Sequence, residues 1–108
     1  MSTFKEYEAV VKDTAIYPEA GRGTTIALAY CALGLGESGE VQGKIKKLIR
    51  DGNLDKKEVV KELGDILWYV TATANELGYQ LQDVAEINAV KLLDRKNRGV
   101  LTGNGDNR

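Results

Sequence analysis

The sequence predicts an all-α protein, a four-helix bundle-like domain that assembles as a homo-oligomer. The chain contains a single proline, Pro18, and apolar residues rarely alternate with polar ones as they would in strands. Apolar residues recur instead three and four positions apart over long stretches, which is typical of amphipathic helices. With 108 residues the chain suffices for one domain and is too short for two ordinary ones. We expect that domain to span residues 1–99.

The first helix is predicted over residues 3–14. Thr3 is followed three positions later by Glu6, a capping-box pattern that opens helices. A linker then covers residues 15–23, because this stretch holds three residues that interrupt helices: Pro18, Gly21 and Gly23.

Three further helices follow the linker. The second runs from residue 24 or 25 to residue 50, the third from 55 to 77, and the fourth from 82 to 97. These bounds rest on start and stop signals, namely Gly52, the Asp55–Glu58 cap, Gly78 and Gly99. Residues 100–108 are rich in Gly, Asn and Asp, and we expect a disordered tail there.

The third helix is apolar on more than one side. Its main stripe consists of residues spaced three and four apart: Val59, Leu63, Ile66, Leu67, Val70, Ala74 and Leu77. Trp68 and Tyr69 point away from that stripe at one hundred degrees per residue. A helix of this kind is usually buried on both sides. A chain this small has few other elements to bury the second side of this helix, so we expect another subunit to bury it.

Two pairs of acids with the same i,i+3 spacing interrupt the amphipathic pattern. The second helix has an apolar stripe where a core is expected, formed by Ile26, Tyr30, Leu33, Val41 and Leu48. On a helical wheel, Glu37 lies within this stripe, and Glu40 lies about sixty degrees to one side. A carboxylate buried without a partner costs several kcal/mol or takes up a proton. Glu62 and Asp65 form the second pair, on the third helix. Adjacent antiparallel helices can bring the pairs face to face, where a cation would offset their repulsion.

The composition indicates which ion such a site would take. The chain has no histidine and one cysteine, Cys31, so the usual zinc ligands and the commonest general base are missing. Oxygen ligands alone select hard ions, with Mg²⁺ first and Mn²⁺ as the alternative. A purely structural interpretation stays open, because Glu40 and Lys44 also form an i,i+4 ion pair typical of a solvated surface.

Glycines and cations near the acids also have two interpretations each. Four glycines fall inside the second helix, Gly34, Gly36, Gly39 and Gly43, either for close helix packing or for the approach of a substrate.

Lys44 and Lys47 follow the first acids. Asn88, Lys91 and Arg95 share one face of the fourth helix and suit sugar and phosphate oxygens; cations there also favour the helix dipole. The rings of Trp68 and Tyr69 suit either base stacking or packing in the core or against another subunit.

Charge and hydropathy exclude several partners. The formal net charge of -1 gives no field that would attract nucleic acid or an anionic membrane. The most apolar stretch, residues 26–35, is half the ~20 residues of a membrane helix. The first ten residues lack the apolar run of a signal peptide, and a lone cysteine fits a reducing compartment. We therefore expect a cytoplasmic protein.

Three separated blocks resemble the MazG-like nucleotide pyrophosphohydrolases. The first two are residues 34–47 and 62–69, which contain E-x-x-E, a spacer of 21 residues and E-x-x-D. The third is residues 88–95 followed by Gly99. The likeness covers about residues 28–99. One departure is Gly36, where many members carry a glutamate next to the first acid of the motif. The missing glutamate bears on whether a second metal ion binds and on which residue activates the water.

The resemblance implies an all-α enzyme, dimeric or tetrameric, that cleaves nucleoside triphosphates to the monophosphate and pyrophosphate with Mg²⁺. The resemblance implies four metal ligands: Glu37, Glu40, Glu62 and Asp65. Of these, Glu37 or Glu40 would orient or deprotonate the attacking water. Asn88 and Lys91 would contact the nucleotide, with Lys44, Lys47 and Arg95 as further phosphate contacts. Two alternatives remain: a pyrophosphohydrolase specific for dUTP or phosphoribosyl-ATP, and a helical interaction module without activity.

Overall fold

The computed structural model describes residue 1 and residues 3–108, except for the side chain of Glu37. It contains helices α1 (Phe4–Asp13), α2 (Thr25–Gly34), α3 (Ser38–Asp51), α4 (Lys56–Glu76) and α5 (Leu81–Asn97), with a 3₁₀ turn at Leu35–Glu37 between α2 and α3. No strand occurs in the described part of the chain. The all-α prediction is confirmed.

Local signals set the helix ends as the sequence predicted. The Thr3 hydroxyl accepts a hydrogen bond from the Glu6 amide at 3.1 Å, so the first cap is present. The Asp55 carboxylate accepts hydrogen bonds from the backbone amides of Lys57 and Glu58, at 3.1 and 3.3 Å. Gly52 adopts a left-handed backbone with φ of 77°, which ends α3 without the steric penalty that a side chain would bring.

The predicted second helix is divided, which corrects the sequence analysis. A 3₁₀ turn at Leu35–Glu37 separates α2 from α3, where Gly34, Gly36 and Gly39 weaken helix propensity. A 3₁₀ turn winds three residues per turn instead of 3.6, so residues after the turn are rotated relative to a continuous α-helix. A single helical wheel therefore misplaces the acids of α3 against the apolar residues of α2.

The core is small and lies on a different row of α2 from the predicted stripe. Its buried residues are Val11, Tyr17, Ala27, Cys31 and Ala72, with Tyr7, Ala15, Ala20 and Trp68 packed against them. The stripe residues Ile26, Tyr30 and Leu33 are exposed in the single chain, Leu33 by 80%. The prediction that this stripe forms a core in one chain was wrong.

The core face of α4 also differs from the prediction. Thr71 and Ala72 are fully or almost fully buried, whereas Leu63 and Leu77 of the predicted stripe are 49% and 57% exposed. The chain packs its α1 and α2 helices against the Trp68–Ala72 side of α4. An apolar face of α4 is therefore left open to solvent.

A buried carboxylate fixes the linker between α1 and α2 to the end of α4. Glu76 accepts hydrogen bonds from the amides of Gly21 and Gly23, both at 2.8 Å, and from the hydroxyl of Tyr17. Burial alone would raise the pKa of Glu76, but these three hydrogen bonds together bring it below its ordinary value. A second buried acid, Glu8, accepts from the Leu81 amide at 2.7 Å and holds the start of α5.

Residues 100–108 form turns and bends that fold back onto α5 in the structure, and the disorder expected of this segment stays a prediction. The Asp106 carboxylate contacts Lys91 and Arg95.

As for membranes, none of the helices in the described residues combines the length and the apolar character needed to cross a bilayer.

Candidate functional site

The two acid pairs lie on helices that pack against each other. Both α3 and the 3₁₀ turn contact α4, so Glu40 and the Glu62–Asp65 pair are on neighbouring elements. Glu40 and Asp65 are exposed, and Glu62 is half-buried. The side chain of Glu37 lies outside the described residues. Among the side chains that are described, no three acids or cysteines come together as a metal-binding group, so the four-carboxylate cluster stays a prediction.

The described carboxylates are nevertheless suited to an external cation. Within the described part of the chain, Glu40, Glu62 and Asp65 make no hydrogen bond or salt bridge with protein groups. Their oxygens are therefore available as ligands. Carboxylate donors without histidine, and with the only cysteine buried, fit Mg²⁺ or Mn²⁺ and do not fit a soft metal.

An aromatic cavity lies directly beside Asp65. It has a volume of about 450 Å³ and is lined by Thr14, Ile16, Tyr17, Tyr30, Asp65, Trp68 and Tyr69. This volume falls in the range of small-molecule sites, roughly 300–1,000 Å³. An acid from the predicted metal site thus borders a space with aromatic walls. By volume, the cavity is large enough for a small planar ring.

The aromatic walls are held by specific contacts. The rings of Tyr17 and Tyr30 stack at 5.2 Å between centroids, with an interplanar angle of 10°. Trp68 packs edge-on against Tyr17 at 6.2 Å and against Tyr69 at 5.1 Å. Its indole N–H donates to the Thr14 hydroxyl at 2.9 Å. Trp68 therefore packs against the core and also lines the cavity, and its role in base stacking stays a prediction.

A glycine on α2 sets the position of one wall. A Cβ atom at Gly34 would lie 2.1 Å from the ring of Tyr69, a distance that no side chain can occupy. Of the four glycines singled out in the sequence, Gly34 thus fits the packing interpretation. Around Gly36, Gly39 and Gly43 there is open space in the described structure.

The charge of Asp65 also acts on α1. The pKa of Tyr7 is raised, first by partial burial of its hydroxyl and then by the negative charge of Asp65. A phenol beside a carboxylate resists ionisation, because its anion would add a second negative charge. Tyr7 thus stays a neutral hydrogen-bond donor near the acids over the physiological pH range.

The predicted phosphate contacts fall into two separate groups. Lys44 and Lys47 are on α3 and line a small pocket together with Asp55 and Glu58 from the start of α4. Asn88 and Lys91 border an apolar cavity of about 460 Å³ between the end of α4 and α5. In the described residues α5 packs against α1 and α4 and has no contact with α3 or the 3₁₀ turn. One chain therefore does not bring the cations of α5 next to the acids of α3.

Sequence reasoning missed four residues of the aromatic cavity: Thr14, Ile16, Tyr17 and Tyr30. Tyr17 was passed over because it lies in the linker before Pro18. Tyr30 was assigned to a core stripe. The available signal was composition, since three of the five tyrosines line this one cavity. Only the folded chain shows that they come together.

Comparison with known proteins confirms the resemblance. Residues 27–100 match the family model of the MazG nucleotide pyrophosphohydrolase domain, and the match includes every predicted site residue. The Gene 37 protein of Mycobacterium phage L5 is 44% identical over 109 residues, which cover 94% of this chain and 96% of the phage protein. No solved structure matches significantly. The family supports hydrolysis of a nucleotide substrate. The chain belongs to the MazG nucleotide pyrophosphohydrolase family.

Proposed function

We propose that the protein hydrolyses (deoxy)nucleoside triphosphates to the nucleoside monophosphate and pyrophosphate in the presence of Mg²⁺. The observation that carries this proposal is the position of Asp65, which borders the aromatic cavity on a helix packed against α3. Family membership supports the reaction class. The net charge of -1 favours a small nucleotide over nucleic acid or a membrane as the partner, and a cytoplasmic location fits this substrate.

Four carboxylates would hold the ion: Glu37, Glu40, Glu62 and Asp65. Mn²⁺ is the alternative, since both ions prefer oxygen ligands. A bound divalent ion would offset the negative charge on the phosphates and on the leaving pyrophosphate.

The chain's own residues supply the remaining chemistry. Glu37 or Glu40 orients a water towards the α-phosphorus and accepts its proton. The water oxygen forms a new bond to that phosphorus while the bond to the β-phosphate oxygen breaks, and the bonding pair leaves with pyrophosphate. Lys44 and Lys47 stabilise the developing negative charge, and Asn88, Lys91 and Arg95 extend this role if α5 reaches the substrate.

The aromatic cavity is the proposed position of the nucleobase. Stacking of a base on an aromatic ring contributes about 1–3 kcal/mol and tolerates different bases. The Trp68 and Tyr69 rings are already held at 81° to each other, so little ordering is required on binding. The base would then lie next to Asp65, with the phosphates directed towards the acids.

A homodimer or homotetramer would complete this site. The exposed apolar residues of α2, α4 and α5 include Ile26, Leu33, Val60, Leu63, Val90 and Leu93. A soluble chain seldom leaves this much apolar surface uncovered. Because α5 has no contact with α3, which carries Glu40, in the described structure, a second copy would also supply Asn88 and Lys91.

Pyrophosphate release from a panel of nucleotides tests the proposal. The panel contains the common (d)NTPs, dUTP and phosphoribosyl-ATP, each assayed with Mg²⁺, with Mn²⁺ and with EDTA. We expect release only with a divalent ion, and we expect Glu40→Gln to abolish turnover while keeping the helical circular dichroism. Glu86→Gln, the same change on an exposed residue of α5, is the control.

The outcomes separate the alternatives. Release from dUTP or phosphoribosyl-ATP alone would assign a narrow substrate. A folded protein that releases no pyrophosphate from any substrate would favour the interaction module. A fully active Glu40→Gln variant would exclude Glu40 from the site. Sedimentation equilibrium tests the assembly separately, with a dimer or tetramer expected.

A further inference from the structure

The C-terminal segment, residues 100–108, occupies the cation pair of α5. The Asp106 carboxylate lies 3.0 Å from Lys91 and 3.1 Å from Arg95. Its backbone carbonyl also accepts a hydrogen bond from Arg95. Lys91 and Arg95 are the residues of α5 whose spacing suits phosphate oxygens. The oxyanion that they bind in this structure comes from the chain itself.

The cation pair has the properties of a built anion site. Arg95 is 4% exposed, and a buried guanidinium requires an oxygen partner because an unpaired buried charge is costly. Lys91 is half-buried beside it and adds a second charge. Both cations lower the pKa of the Asp106 carboxyl group, with Lys91 the larger cause. The site therefore selects an ionised acid over a neutral group.

The segment that carries Asp106 is suited to release. Asp106 itself is 78% exposed in its side chain, and the chain reverses at Gly99, whose φ is 73°. Most of the remaining contacts are internal: Arg108 donates to the carbonyls of Val100 at 2.9 Å and Leu101 at 3.0 Å. The pair with Lys91 is open to solvent on both sides, and exposed ion pairs contribute little to stability and weaken with salt; the pair with Arg95 is exposed only on the Asp106 side, so an incoming anion has to take over that contact. The segment can thus leave α5 without disturbing the core.

We propose that residues 100–108 act as an internal competitor of the nucleotide, in which the Asp106 carboxylate occupies the Lys91–Arg95 site that a phosphate group takes when substrate binds. The proposal rests on the assignment of Lys91 and Arg95 as phosphate contacts in the proposed function. Carboxylate and phosphate oxygens both accept charge-assisted hydrogen bonds from Arg and Lys, so one anion excludes the other. Substrate must displace the segment to engage α5.

The size of the effect follows from the population of the open state. An apparent dissociation constant equals the intrinsic constant divided by the fraction of molecules in which the site is free. If the segment covers the site in about nine molecules of ten, its removal strengthens binding roughly tenfold. Because the segment is attached to the helix that carries the site, its effective concentration there is in the millimolar range. This occupancy therefore corresponds to a dissociation constant about ninefold lower than that concentration for the Asp106 contact.

Calorimetric titration with inorganic pyrophosphate, with divalent ions withheld, tests the proposal without depending on turnover. The variants are Asp106→Asn and a chain that ends at Gly99. Asp51→Asn is the control, since it makes the same charge change in an exposed pair with Arg50. We expect both test variants to bind pyrophosphate about three- to tenfold more tightly than the unmodified chain, and the control to be unchanged.

Unchanged or weaker affinity in both test variants overturns the proposal, as does the absence of any pyrophosphate binding. The result is separable from the proposed function. If the nucleotide panel is silent but the variants bind pyrophosphate more tightly, the hydrolase assignment fails and the competition is supported. If nucleotides are hydrolysed but pyrophosphate affinity does not change, only the competition fails.

Discussion

Replacement of Glu76 by Gln should destabilise the protein without creating a cavity. The Glu76 carboxylate is 6% exposed and accepts three hydrogen bonds, from Tyr17, Gly21 and Gly23. A glutamine of the same size has one acceptor oxygen, and its NH₂ group faces at least one amide that also donates. One part-buried peptide N–H then loses its acceptor, which costs about 1–3 kcal/mol. We expect a loss of about 2 kcal/mol, or roughly 10 °C in Tm.

The pH dependence distinguishes the charge from the shape of Glu76. Its folded pKa lies below the ordinary value of 4.5. A carboxyl group of this kind stabilises the folded chain above the unfolded pKa, and this contribution is lost as the pH falls through the folded pKa. The difference in unfolding free energy between the unmodified chain and Glu76→Gln should therefore be constant from pH 7 to about 5 and shrink at lower pH.

Urea denaturation at fixed protein concentration measures this difference, because oligomer stability depends on concentration. The midpoint should fall while the m value stays the same. Glu86→Gln is the matched control: Glu86 is exposed and bonds only Gln82 of its own helix in the described structure, at 2.8 Å, so its effect should stay within about 0.5 kcal/mol. Equal stability of Glu76→Gln and the control, or a difference that does not change down to pH 3, would refute the reasoning.

Two further substitutions test how the aromatic cavity is built. Gly34→Ala places a Cβ atom 2.1 Å from the Tyr69 ring and should destabilise the chain by about 1–3 kcal/mol in urea denaturation. The control, Gly43→Ala, lies in open space on α3 and should be neutral or stabilising by up to about 1 kcal/mol. Equal effects of the two substitutions would contradict the close packing of Gly34 against Tyr69. Trp68→Phe keeps an aromatic ring but removes the donor to Thr14, with an expected loss of about 1 kcal/mol; no loss would mean that this hydrogen bond does not contribute.

The sequence predicted the helices well where local chemistry decides their ends. Thr3 and Asp55 cap their helices through side-chain acceptors, and such caps involve residues two or three positions apart. The i,i+3 spacing of the acids is equally local, so it could be read directly and matched to a family. The family match then covered the same stretch of chain.

The sequence predicted long-range arrangement less well, for identifiable reasons. A 3₁₀ turn changed the rotation of α3 relative to α2, and no helical wheel anticipates such a change. The contact between Tyr17 and Glu76 joins residues 59 positions apart, and neither residue has a periodic partner that indicates it. The choice between two apolar faces of α4 was also undetermined, because both faces satisfy the same pattern.

The proposed homo-oligomer would account for both the exposed apolar faces and the separation of the α5 cations from Glu40. Leu33 and Leu63 are exposed in the single chain, although their spacing is that of buried residues. In the described structure α5 lacks contact with the helix that carries Glu40. If a second copy covers the apolar faces, it can also bring a neighbouring α5 to the acids. Assembly and activity would then depend on the same surfaces, and substitutions that dissociate the oligomer should lower turnover even when each chain stays helical.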